Sequence, residues 1–126
     1  MQLLVGTDSV HATAAICDYL ENRLTSSDDV RVVATAEPGD GTAERDGREA
    51  LNVASVRLAA AGRVETEFRE GELVPELLEA AAAVDADEIV VGAGSADSDA
   101  AVGSTTRTLL ERATRPVVVV PVPALE

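Results

Sequence analysis

RVETEFREGELVPELLEAAAAVDADEIVVG, residues 63–92, decides the fold. It opens on RVETEF (63–68), where Val64, Thr66 and Phe68 alternate with charged residues, the pattern of a strand at the edge of a sheet. Leu73, Leu77, Leu78 and Ala81 then recur at helical spacing over 73–83, and Pro75 falls in the first turn, where a helix tolerates it. EIVVG (88–92) closes the stretch, a short apolar run of the kind buried on both faces. A strand, a helix and a strand in that order form a crossover, so the two strands run parallel and the connection is right-handed.

The same alternation extends in both directions. QLLVG (2–6), VRVVATA (30–36) and PVVVVPV (116–122) read as three further strands. A helix over 9–24 starts at the cap Ser9 and repeats apolar groups at Val10, Ala14, Cys17, Tyr19 or Leu20, and Leu24. A second, over 43–61, places Ala50, Val53, Ala54, Val56 and Leu58 on one broad face and ends before Gly62. A last helix, over 104–114, carries Leu109, Leu110 and Ala113, and Pro116 forces Arg115 out of helical geometry. Residues 37–48, with four acids, two arginines and three glycines, read as a mobile linker. The order β-α-β-α-β-α-β-α-β predicts one α/β domain over residues 1–126, a doubly wound, open, parallel five-stranded sheet with helices on both faces. Such sheets bind ligands outside the carboxyl ends of their strands. Here those ends are Gly6-Thr7-Asp8, Ala36-Glu37-Pro38 and Gly92-Ala93-Gly94.

Charge excludes several partners. Twenty-three acids face 10 basic residues, a net charge of −13, which repels nucleic acid and anionic membranes. All the basic residues are arginine. An acidic, lysine-free, Ala- and Val-rich chain fits a cytoplasm of molar salt, where charge is screened over about 3 Å. A GC-rich genome also drifts toward Arg and Ala but does not explain the acids. A single cysteine, Cys17, allows no internal disulfide and suits a reducing compartment. No leader and no run of membrane-helix length is recognisable, so a cytoplasmic protein is expected.

Catalytic patterns fail one by one. A phosphate-binding loop of the Gly-Lys-Ser/Thr type and a phosphoacceptor receiver domain both need a lysine. The dinucleotide fingerprint is absent after the first strand, which reads VGTDSV, and GAGSAD has Asp97 at the third glycine position. The sole histidine, His11, reads as a solvated first-turn residue, and Cys17 as a small core residue. No metal-ligand spacing stands out around Asp8, His11, Asp97 or Asp99. No catalytic constellation and no metal site of the chain's own survive.

Three stretches in order carry a family resemblance. VGTDSVHATAAICDYL (5–20) resembles the opening strand, Asp-x-Ser turn and first helix of the universal stress proteins. VETEFREGELVPELLEAAAAVDADEIVVGAGS (64–95) resembles their third strand, third helix and fourth strand, and VGSTTRTLLERATRPVVVVP (102–121) their Gly-Ser helix start and last strand. The chain is similar to the single-domain type over nearly its whole length. The resemblance implies a Rossmann-like sheet of order 3-2-1-4-5 and a homodimer; because VVVV (117–120) is apolar on both faces and an uncovered edge of that kind is a pairing template, the dimer is expected to form through the last strand, Val117–Val120. It also implies a stress-response role exerted through a protein partner. Some members bind ATP or AMP between strands one and four, and others bind no nucleotide. Carried over residue by residue, Asp8 matches the acid that contacts adenine. Gly6 and Ala36 match the strand ends. Val91, Gly92 and Gly94 match the start of the loop that wraps ribose and phosphate, and Gly103, Ser104 and Thr105 match its end.

The loop departs from the family pattern G-x-x-G-(nine residues)-G-S/T. Ser95 stands where the second glycine belongs, Gly94 comes one residue early, and Gly92 and Gly103 are separated by two residues fewer than the pattern has. Asp97 and Asp99 repel a triphosphate unless Mg²⁺ or molar salt intervenes. Ser104 can cap the last helix or touch phosphate. Three roles thus stand side by side: a nucleotide-binding signalling module, a nucleotide-free regulatory partner, and a slow adenine-nucleotide hydrolase, the last against the lack of a base and of lysine.

Overall fold

The computed structural model describes residues 1–93 and 103–123. Strands β1 (Gln2–Thr7), β2 (Asp29–Ala36), β3 (Arg63–Glu70), β4 (Glu88–Gly92) and β5 (Val117–Val120) alternate with helices α1 (Val10–Glu21), α2 (Gly41–Leu58), α3 (Leu73–Ala83) and α4 (Ser104–Arg112). The sheet has the order β3-β2-β1-β4-β5 and every pairing is parallel. This is the expected α/β architecture, with the alternating strand β3 at one edge and β5 at the other.

Strand alternation sorts the core into two layers. Leu3, Val5, Val30, Val32, Ala34 and Val90 point to one face and meet Ile16, Cys17 and Leu20 of α1 and Leu51, Ala54 and Leu58 of α2. Leu4, Val33, Ile89 and Val91 point to the other and meet Val74, Leu77, Ala80 and Ala81 of α3 and Leu109 of α4. Both faces of β1 and β4 are covered, which is why their sequences are continuous apolar runs. Cys17 is fully buried, and that burial pushes its thiol pKa up, so it is a core residue as expected. Among the described residues no helix is long and apolar enough to cross a membrane.

Several boundaries differ from expectation. Residues 41–48 are helical, not a linker. Asp40 caps α2 by accepting from the Ala43 amide at 3.0 Å, and Arg48 pairs with Glu44 one turn away at 3.1 Å. Glu37-Pro38-Gly39-Asp40 forms a turn closed by the Asp40 amide donating to the Glu37 carbonyl at 3.0 Å, with Gly39 at φ 89°. Proline second and glycine third is the arrangement that a type II turn requires. Val56 is 79% exposed, because Ala50, Ala54 and Leu58 repeat every four residues and leave it on the opposite side. Helix α1 ends at Glu21, and α2 ends at Leu58, short of Gly62. Strand β5 spans only Val117–Val120, ending before Pro121.

Candidate functional site

The carboxyl ends of β1 and β4 frame a crevice. On the β1 side, Thr7 is buried and its hydroxyl lies 2.7 Å from that of Thr13, which donates to the Ser9 carbonyl at 2.7 Å. Ser9 caps α1 by accepting from the Ala12 amide at 3.1 Å. This clasp fixes the turn and leaves Asp8, between Thr7 and Ser9, exposed at its apex. On the β4 side, the Thr106 hydroxyl donates to the Gly92 carbonyl at 3.2 Å, and the Gly103 amide donates to the Ala93 carbonyl at 3.2 Å. These bonds hold the first turn of α4 against the end of the strand.

A cavity of about 550 Å³ fills the crevice. Gly6, Asp8, Val91, Gly92, Gly103, Ser104 and Thr105 line it, together with Thr7, Ala12, Thr35, Thr106, Arg107 and Leu109. Leu73, Val74 and Leu77 of α3 form an apolar wall. A neighbouring cavity of about 680 Å³ shares Asp8, Thr35, Leu73, Val74, Ser104 and Thr105 and extends over Ala36, Glu37, Asp40, Gly71, Glu72, Thr108 and Arg112. The structure thus brings together every sequence-predicted site residue except two. Ala36 lies in the neighbouring cavity only, and Gly94 falls outside the described residues, as do Ser95, Asp97 and Asp99.

Individual roles sharpen. A Cβ on Gly6 would lie 2.5 Å from Leu77 Cδ1, and one on Gly92 would lie 2.9 Å from Val122 Cγ2. A side chain at either position would therefore have to displace a neighbour in the crevice walls, whatever ligand it takes. The cap of α4 is Gly103, in extended geometry (φ −70°, ψ 166°), and no side chain caps that helix. Ser104 is the first helical residue and does not cap, contrary to one of its two expected roles, because a cap must stand outside helical dihedrals. His11 is half-buried rather than solvated, hydrogen-bonded through Nε2 to the Pro123 carbonyl.

The arginines divide unequally. Arg23, Arg31, Arg45, Arg48, Arg57, Arg63, Arg69 and Arg115 each have a carboxylate within 4.0 Å. Among the described residues Arg107 and Arg112 have none, and each lines one of the two cavities. Arg115, the third arginine near the carboxyl end, reaches Asp85 at 3.2 Å and the Ala86 carbonyl at 2.8 Å. The sequence alone did not mark which arginines line the crevice. Thr35 and the wall from α3 it missed entirely. Among the described residues no three of His, Cys, Asp or Glu gather as metal ligands.

Comparison with known proteins converges on one family. A universal stress protein crystallised in complex with cAMP is 25% identical, with 98% of each chain covered and a TM-score of 0.73. A universal stress protein family protein from Arabidopsis thaliana with AMP bound shares the fold at 14% identity, covering 98% of this chain and 93% of that one, with a TM-score of 0.75. The universal stress protein from Archaeoglobus fulgidus in complex with dAMP does so at 21% identity, covering 95% and 97%, with a TM-score of 0.67. Among curated proteins no sequence matches. The universal stress protein family model matches residues 1–121, spanning all five strands and both walls of the crevice, and the chain belongs to that family.

Proposed function

We propose that this crevice binds an adenine nucleotide and that the protein is a stress-response binding module, not an enzyme, working inside the cell through a partner. The observation that carries the reading is a single cavity lined at once by Asp8, Gly92, Gly103, Ser104 and Thr105, the residues that match the family's nucleotide motif, and by the cation of Arg107. The apolar wall of Leu73, Val74 and Leu77 suits one face of a purine, and the first turn of α4 suits an anion. The three structures solved with cAMP, AMP and dAMP support the same ligand class.

The base end is assigned to Asp8. Asp8→Ala should abolish calorimetric heats of adenosine, AMP and ATP alike, because it acts on the base common to all three. Loss confined to the phosphorylated ligands would assign Asp8 elsewhere. A homodimer is part of this proposal: among the described strands β5 pairs with β4 on one side, and Val117, Val118 and Val119 are each half-buried along its other, open edge.

A further inference from the structure

Arg107 and Arg112 stand five residues apart on α4, about 140° around its axis. Their surroundings differ in charge. Among the described residues Asp8 is the carboxylate lining the cavity with Arg107, whereas Asp8, Glu37, Asp40 and Glu72 all line the cavity with Arg112. Among the described residues, an anion beside Arg112 therefore meets four acids, and one beside Arg107 meets Asp8. The Arg107 side also holds the start of α4, whose glycine cap brings no side-chain acceptor to compete for the first-turn amides.

We propose that Arg107 is the counter-charge that selects a nucleoside monophosphate, with the phosphate on the Arg107 side and the base toward Thr35 and the apolar wall. This rests on the adenine-nucleotide reading of the same crevice. A phosphate monoester carries about −1.5 to −2 charge near neutral pH. One guanidinium together with a helix start worth roughly half an elementary charge matches that load. A triphosphate brings well over that, into a chain whose formal charge is already −13. A cation supplied by the chain also lessens the need for a divalent ion. Arg107 lies outside the glycine motif that the family resemblance carries.

The test titrates adenosine, AMP and ATP calorimetrically in EDTA, at the lowest KCl concentration that keeps native circular dichroism. The proteins are wild type, Arg107→Ala, Arg107→Lys and Arg112→Ala. The wild type should prefer AMP to both adenosine and ATP. Arg107→Ala should weaken AMP by about tenfold or more and leave adenosine unchanged. Arg107→Lys should recover part of the loss, and Arg112→Ala should bind AMP as the wild type does. Equal AMP affinity in wild type and Arg107→Ala overturns the assignment while the nucleotide reading stands. An equal loss for adenosine and AMP also overturns it, because it makes Arg107 a residue of the fold. ATP binding more tightly than AMP in EDTA overturns the monophosphate preference. No heat from any of the three ligands with folded wild type removes the nucleotide reading itself.

Discussion

Leu77 occupies the space where a side chain on Gly6 would lie, and Leu77 is itself fully buried. Gly6→Ala should therefore destabilise the protein by about 1–3 kcal/mol, the usual range for overpacking a core. Denaturant unfolding checks this, and unchanged stability would show that Leu77 can step aside. At this scale the sequence was partly legible. Asp8 could be found because a short apolar strand ends beside it and Ser9 follows as a cap, both local signals. Leu73, Val74 and Leu77 could not, because their helical spacing marks a buried face equally well whether it covers strand or cavity. Ser104 was ambiguous for a related reason: Gly and Ser are both good caps, and only the backbone dihedrals tell which of Gly103 and Ser104 stands outside the helix.

Strand β5 has four residues, a partner on one side and prolines just beyond both ends. Proline cannot donate to a ladder, so Pro116 and Pro121 limit further pairing and favour a finite two-fold pair over a fibre. Light scattering should give about twice 13.0 kDa for the wild type. Val119→Arg should give 13.0 kDa or fail to fold, since Val119 also packs against the core. A monomeric wild type contradicts the pairing outright, and so does a folded Val119→Arg dimer. Elements themselves were legible in kind and order because period-2 and period-3.6 patterns alternate cleanly along the chain. The start of α2 was not. Gly41 and Gly47 lower helical propensity across 41–48, yet Gly47 packs against Ala34, where a Cβ would lie 3.2 Å from the Ala34 methyl. Tertiary packing there overrides local preference.

Charge is the property of the whole molecule that the sequence displayed most openly. Eight arginines are engaged with carboxylates, but mostly at the surface, where each pair contributes only about 0–1 kcal/mol. Repulsion among the excess acids is spread over the whole fold and is relieved by screening. Thermal midpoints should consequently rise from low salt to molar KCl, by about 3–5 °C for each kcal/mol gained. A flat or falling midpoint would contradict both that balance and the salt-adapted reading of the composition. The same excess of acid makes the crevice informative, since a protein carrying −13 is a poor general binder of anions and any phosphate it retains must be held by specific contacts. The most direct test is mass spectrometry of small molecules released by denaturing freshly purified protein, after extensive washing in molar KCl. An adenine nucleotide, AMP foremost, in stoichiometric amount from the wild type and absent from Asp8→Ala is the predicted result. No nucleotide from the wild type, together with no binding when AMP is added back to millimolar concentration, would contradict it and place the chain among the family members that bind none.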